Sequence, residues 1–549
     1  MPPGPARSET RCTHGTFLRE NREIHRLPSR NGRLGRIEKA GGRTPMMNDL
    51  WKSDGSVLPS KPPNKAPQGA AEEVEGRDPA KGNMDQQNVS RTQRRMGEET
   101  PPHDTPSALD RVRAAARRDR TLRFTALFHH VTKDRLRASF LALKRRAAPG
   151  VDHVTWQQYA EGLEARLDDL HARLHRGAYR AKPTRRVFIP KADGRERPLG
   201  IASVEDKIVQ GAVAGVLNSI YEVDFLGFSY GFRPGRSQHQ ALDALAVGIF
   251  RKKVNWVLDC DVRGFFDAMS HTWTLRFLEH RIGDKRILRL VQKWLAAGVI
   301  QDGRRVETPV GSVQGATISP LLANVYLHYA FDLWANAWRR RHATGDMIIL
   351  RFADDIRVGF QTEADATRFQ TELADRLGRF DLELHPEKTR LVQFGKLAAL
   401  YREKDGMGRP ETFTFLGFTH ICGRSMKGRF LLLRHTESKR MRSTLRVLRD
   451  AMMRRRHLPV PDQGRWLGQV VRGYFAYHAV PTNVVLLVAF RDQVVRHWRF
   501  ALQRRSQRHR LTWDRMHVIA NRWIPRAAIL HPWPSVRFDA RTQGRSPVR

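Results

Sequence analysis

Three regimes of apolar patterning divide this chain. Up to about residue 105 it is rich in Pro, Gly, Ser, Asn and charges of both signs, as in Pro59-Ser60-Lys61-Pro62-Pro63-Asn64-Lys65, with almost no apolar periodicity. Such a stretch has no face to bury, so residues 1–105 are expected to be a disordered basic tail, with Met46, Met47 and Met84 as candidate later starts. From Ser107 the spacing turns helical. Leu109, Val112, Ala115 and Ala116 recur at helical intervals, followed by Leu122 to Phe128 and Leu136 to Leu143 with Arg on the other face. Pro149-Gly150 stops that run. Thr155 and Gln158 then form a capping box opening a helix through Leu163, Leu167 and Leu170. These segments predict a helical N-terminal extension over 106–165.

Between Arg185 and about Phe418 strand and helix patterns mix. Arg186 to Pro190 reads as a strand running into an Asp193-Gly194 turn, with Arg195 to Leu199 returning, which predicts a basic hairpin. Two β-prone apolar runs, around Val254 to Leu258 and Met347 to Leu350, each end in acid: Asp259-Cys260-Asp261 and Phe352-Ala353-Asp354-Asp355. Beyond Leu431 everything reads as helix again. Val484, Leu487, Phe490, Val494, Trp498 and Leu502 form one stripe, and Arg491, Arg496, Arg499, Arg504 and Arg505 lie off it. The pattern predicts an α+β region followed by a basic all-α bundle.

Charge narrows the partners. The 549 residues carry 97 Lys plus Arg against 56 Asp plus Glu, a formal charge of +41, and nucleic acid is the default partner of so basic a chain. No apolar run approaches the ~18 residues of a spanning helix, so no membrane role is expected. Cys12, Cys260 and Cys422 offer neither a disulfide framework nor a cysteine zinc site. No secretory signal is apparent at the N-terminus, and a cytoplasmic protein is expected.

The acidic strand ends carry the chemistry. Carboxylates brought together there repel and are hard to desolvate unless a divalent cation binds between them, the arrangement of two-metal phosphoryl-transfer sites. Taken singly, these aspartates would serve as well as helix caps or surface ion-pair partners. The matched pair after apolar runs points to the palm of a polymerase. Cys260, alternating with its acidic neighbours, reads as a core thiol. Gly311-Ser312-Val313-Gln314-Gly315-Ala316-Thr317-Ile318-Ser319-Pro320 is a small-residue loop feeding a helix, where backbone can approach a ligand closely.

This loop, the two acidic strands, Lys191-Ala192-Asp193-Gly194-Arg195-Glu196-Arg197-Pro198 and His385-Pro386-Glu387-Lys388-Thr389 together resemble the ordered blocks of a group II intron-encoded reverse transcriptase. Ala148-Pro149-Gly150-Val151-Asp152, Phe415-Leu416-Gly417-Phe418, Arg504-Arg505-Ser506-Gln507, Leu511-Thr512-Trp513 and His531-Pro532-Trp533-Pro534 extend the likeness from about Leu109 through Arg549. The resemblance implies a right-hand polymerase with fingers and palm over 166–420 and a helical thumb, or maturase, domain over 421–549. It implies two Mg²⁺ ions held by Asp261 and Asp354, with Asp355 beside them and the Val262 carbonyl helping.

By the same likeness Lys191 and Arg197 would hold the triphosphate, Phe266 would exclude the ribose 2′-hydroxyl, and Gln314 with Gly315 would support the templating pair. Arg499, Arg504 and Arg505 would grip nucleic acid. Implied partners are dNTPs, an RNA template and DNA primer, the parent group II intron RNA and target DNA, in a bacterial ribonucleoprotein; a homodimer stays open. The family's zinc-containing endonuclease domain is expected to be missing, so that priming comes from elsewhere. Two departures stand out: Ala316 where Gly or Ser is usual, and Arg357 where an apolar residue is favoured, a charge expected to reach solvent or nucleic acid. The competing readings are another bacterial reverse transcriptase, in defence or with a noncoding RNA, and a splicing factor without polymerase activity.

Overall fold

A computed structural model describes residues 107–190, 196–308, 310–506 and 510–542. The expected tail 1–105, its methionines, Lys191, the Asp193-Gly194 turn and Gln507 lie outside the described residues.

Helix α1 (Ala108–Arg118) starts where the Ser107 hydroxyl accepts from the Asp110 amide. The apolar run after it, expected as helix, is instead irregular chain that ends in a single 3-10 turn (Phe128–His130). Phe124 bridges to Ile282, and the Asp284 carboxylate takes the Leu127 and Phe128 amides at 2.8 Å each, donors a helix would have used internally. Helix α2 (Lys133–Ala142) follows. The Thr155/Gln158 capping box forms, but the single helix predicted from it is two, α3 (Trp156–Ala160) and α4 (Leu163–His175), because Gly162 turns left-handed at φ 66° between them.

Strands β1 (Thr184–Pro190) and β2 (Glu196–Ile201) form the predicted antiparallel hairpin, Arg185 opposite Ile201 through Pro190 opposite Glu196. Helix α5 (Val204–Asp224), capped by Ser203, runs through the core, and α6 (Gln238–Arg251) starts at a second capping box, Ser237 with Gln240. Strand β3 (Trp256–Asp261) leads into the short α7 (Phe265–Ala268), then α8 (His271–Glu279) and α9 (Lys285–Leu295). Strands β4 (Val299–Gln301) and β5 (Arg304–Val306) complete a sheet of order β2-β1-β4-β5.

After α10 (Ser319–Leu327) and α11 (Leu333–Arg341), strand β6 (Met347–Phe352) pairs with β7 (Asp355–Phe360) and β7 with β3; past α12 (Glu363–Gly378), β8 (Arg390–Gln393) completes an antiparallel sheet of order β6-β7-β3-β8. Both its faces are covered, which is why its strands read as near-continuous apolar runs. Leu258, Cys260, Ile356 and Val358 share one core with α5, α10 and α12. Val257, Ile348, Leu350 and Val392 face α6 on the other side.

Past α13 (Lys396–Lys404), strands β9 (Phe413–Phe415), β10 (Phe418–Arg424) and β11 (Phe430–Thr436) close the second face. The helix expected from Leu431 therefore begins later, and the β10–β11 hairpin runs across position 420. Phe430 to Leu433 is a short apolar run, which periodicity alone cannot assign, and the hairpin's antiparallel pairing decides it. Helices α14 (Ser438–Arg454), α15 (Val460–His478), α16 (Val484–Gln503) and α17 (Trp513–Trp523) then form a bundle with its own core, into which Leu487, Phe490, Val494, Trp498 and Leu502 all pack.

The last helix leaves the bundle. The Leu530 and His531 amides both donate to the Ala479 carbonyl, and α18 (Pro534–Thr542) crosses to α6, burying Phe538. Asp243 of α6, 1% exposed, accepts from Arg434 of β11 at 3.1 Å and from Arg537 of α18. One buried carboxylate thus joins three elements far apart in sequence. Replacing it strands two guanidiniums, so Asp243→Ala is expected to cost about 3–5 kcal/mol, read as a lowered midpoint in urea unfolding. A midpoint within error of the parent protein would mean that solvent serves the arginines as well as Asp243 does.

Candidate active site

The register of β3 on β7 sets Asp261 opposite Asp355 and Asp259 opposite Arg357. Because strand side chains alternate, these four share one face, the face toward α6 and β9. Asp354 stands at the turn between β6 and β7, beside Ala353 in a left-handed conformation at φ 57°.

Arg351, 0% exposed, fixes that turn. It makes a two-pronged pair with Asp332 at 2.7 and 2.6 Å, donates to Asn324 Oδ1 and the Ala353 carbonyl at 3.0 Å each, and reaches Ser229 Oγ at 2.7 Å. Asn324 in turn donates to the Gly231 carbonyl at 2.8 Å. A Cβ at Gly231 would lie 2.2 Å from the Ala353 amide nitrogen, so only glycine lets that loop press on the turn.

The carboxylates are held in two ways. Lys388, with its side chain half exposed, contacts Asp261 at 2.6 Å, while the buried Arg357 contacts Asp355 at 2.6 Å and Asp259 at 2.8 Å; Arg390 approaches Asp259 at 3.7 Å. The Arg357 side chain therefore turns inward, not to solvent or nucleic acid as expected, because the acid opposite it on β3 draws it under the sheet. Burial pushes the Asp355 carboxyl up to about 6, with Arg357 opposing, and burial together with the charge of Asp261 pushes Asp354 up against Arg197 and Arg351. Cys260 is a buried core thiol.

Phe265 packs in the core and Phe266 is half-buried, its ring edge-on to the exposed Phe232 at 6.5 Å. The Phe266 carbonyl accepts from Ser312 and the Gln314 carbonyl accepts from Gly200, both at 2.7 Å, so the 311–316 loop is stitched between α7 and β2. Gly315, at φ 105°, sits where a Cβ would come 2.8 Å from the Gly200 carbonyl. Arg197 is exposed on β2.

Among the described residues no three His, Cys, Asp or Glu side chains are gathered as a ready cage for a metal. The donors nevertheless suit a hard divalent cation: Asp261 and Asp354 carboxylates beside the Val262 backbone, all oxygen, with the Asp354 and Asp355 carboxyls pushed up by burial.

The sequence model of the family described as reverse transcriptase (RNA-dependent DNA polymerase) matches residues 189–420. Protein YkfC of Escherichia coli (strain K12) is 31% identical over 344 residues, 56% of this chain and 86% of that protein. The group II intron-encoded protein LtrA of Lactococcus lactis subsp. cremoris is 37% identical over 171 residues, 31% of this chain and 28% of that one. This chain belongs to the group II intron reverse transcriptase/maturase family. An uncharacterized 91 kDa protein in the cob intron of Schizosaccharomyces pombe is 39% identical over 162 residues. That match spans 20% of the fission yeast protein, so of it and LtrA the chain covers less than a third. In this family's terms the fold is a right-hand polymerase, with the acidic turn on its central sheet.

The bundle arginines differ among themselves. Arg499 is half-buried, stacked 4.4 Å from the Trp513 ring centre and donating to the Leu511 carbonyl at 3.0 Å; Arg505 donates to the Arg456 and Leu458 carbonyls. Only Arg504 of the three is exposed. A row not singled out from the sequence, Lys439, Arg442, Arg446 and Arg449, is exposed along α14, and its helical spacing was the available signal.

The raised Asp355 carboxyl gives a pH signature. A carboxyl raised in the folded state binds its proton more tightly there than when unfolded. Its ionised form therefore weakens the fold above about pH 6, and the penalty fades as pH falls from there toward the ordinary 3.8. With the side chain 37% exposed the effect is modest. In EDTA, Asp355→Asn is expected to raise Tm by about 2–4 °C at pH 8 and by nothing near pH 4. A gain of equal size at both pH values would show that the carboxyl is not the cause.

Proposed function

We propose that this protein polymerises DNA on an RNA template and binds the group II intron RNA that encodes it, in the bacterial cytoplasm as a ribonucleoprotein. The carrying observation is the in-register pair Asp261 and Asp355 at the ends of adjacent strands, with Asp354 on the fixed turn beside them. Asp261 and Asp354, helped by the Val262 carbonyl, are the residues that would hold Mg²⁺, and Asp355 stands beside them. Bound there, two Mg²⁺ would activate a primer 3′-hydroxyl and neutralise the triphosphate. Arg197, whose charge already bears on Asp354, and Lys191 meet the triphosphate; a forked guanidinium and a point charge suit that task. Phe266 stacks beneath the sugar and turns away a 2′-hydroxyl, and the Gln314 loop carries the templating pair.

Residues 106–165 serve as the N-terminal extension, 166–420 as fingers and palm, and 421–549 as thumb and maturase domain. RNA docking falls to the outward-facing row of α14 with Arg504, while Arg499 and Arg505 hold the bundle together. Intron mobility into target DNA follows from the same two activities.

Asp354→Ala is expected to abolish primer extension with Mg²⁺ on an RNA template, at unchanged far-ultraviolet circular dichroism. Extension at the parental rate would take Asp354 out of the chemistry, and no extension by the parent protein would favour a splicing factor without polymerase chemistry. For the RNA role, Arg442→Gln, Arg446→Gln and Arg504→Gln together should weaken intron-RNA binding and flatten its salt slope by roughly two to three units. Arg499→Gln should leave the slope unchanged and lower Tm, and the opposite pattern would return the contact to Arg499.

A further inference from the structure

The four residues Asp261, Asp355, Arg357 and Asp259 line up along one face of the central sheet, with Arg390 next on β8. Only the first two lie at the open end. Arg357 lies two residue pairs deeper and is 6% exposed. Its Nη1 is 2.6 Å from Asp355 Oδ1 and 2.8 Å from Asp259 Oδ1, so one nitrogen bridges two carboxylates.

The guanidinium cannot move to follow either acid. It donates to the Ile356 carbonyl at 2.8 Å and to the Thr414 carbonyl at 2.9 Å, and lies 5.2 Å from the ring centre of Phe415. Three anchors on three sides hold it between β7 and β9. Lys388 is the opposite case. Its flexible stem is half exposed, and its single contact with Asp261 can open into water without leaving a buried charge behind. Of the two cations that touch Asp261 and Asp355, Lys388 can swing into water, whereas Arg357 is tied to backbone carbonyls.

We propose that Arg357 is a positioning residue that clamps Asp355 to Asp259 and keeps it out of the cation's ligand set, leaving Asp261 and Asp354 to hold the metal. The inference rests on the reading of these carboxylates as a metal site. It gives Asp259 a role as the inner anchor of the clamp, and it makes Arg357 a partner to the acid two residues before it. Removing Arg357 alone would leave Asp259 and Asp355 facing each other in a buried place. The pair is therefore best removed together, as Arg357→Met with Asp259→Asn, which deletes both charges of the inner contact.

The test is Mn²⁺ binding by the full chain, without nucleic acid or nucleotide, followed by loss of the free-ion electron paramagnetic resonance signal at about pH 8, where carboxyls are ionised. Asp354→Ala should lose the site. Wild-type protein without Mn²⁺ binding, or unchanged binding in Asp354→Ala, overturns the metal reading and the clamp with it. If that control behaves, the Arg357→Met/Asp259→Asn variant should bind Mn²⁺ roughly tenfold more tightly, because Asp355 is released toward the cation while the net charge of the face stays the same. Arg357→Lys, which keeps the charge, should stay within about twofold of wild type. Wild-type affinity in the double variant, or the same tightening in Arg357→Lys, overturns the clamp while leaving the metal site standing.

Discussion

Everything at the acidic end of the sheet depends on Arg351 being wholly buried and wholly satisfied. A guanidinium out of water is tolerable only with every donor directed, and here Asp332, Asn324, Ser229 and the Ala353 carbonyl take them. The same contacts bind the strand before the turn, the loop at Ser229 to Gly231 and helix α10 into one rigid unit. The left-handed Ala353 can therefore persist, and with it the outward placing of Asp354.

Around that fixed point the chain distributes cations by mobility. Arg351 is an internal strut, Arg357 an inner brace, Lys388 a loosely held cover on Asp261 and Arg197 a distant field from the hairpin. On the proposed reading, such grading suits an anionic substrate and metal ions that come and go while the backbone holds still. The bundle repeats the theme: Arg499 and Arg505, half-buried and tied to carbonyls of other segments, hold it together, while Arg442, Arg446 and Arg449 are exposed along α14.

Much of this was legible from the sequence. The acids at the ends of β-prone runs, the basic hairpin, the small-residue loop and the apolar stripe of α16 each depend on local spacing, and local spacing survived folding. What was hidden depends on contacts made at long range. Lys388 meets Asp261 across 127 positions. Asp284 converts an apparently helical run at Leu122 to Phe128 into irregular chain from 157 positions away. Arg351 was the readable exception: an arginine inside Met347 to Phe352, where every neighbour is apolar, already announces a buried partner. Arg357 misled because a charge in a strand is equally consistent with water, and only the cross-strand partner decides.

The Asp243 contact carries a further consequence, for the order in which the chain folds as it is made. Its helix belongs to the central sheet, yet one of its guanidiniums is 191 positions downstream and the other 294. Until Arg537 is made, a carboxylate destined for a dry interior has only Arg434 as its counter-charge and the apolar surface beneath α18 lies open. The sheet can collapse early, but its outer seam stays unsealed until Arg537 and Phe538 emerge. In the interval the nascent chain is a body with one wet, sticky flank, a window in which chaperones, or an RNA transcribed alongside, meet it before its final contour exists.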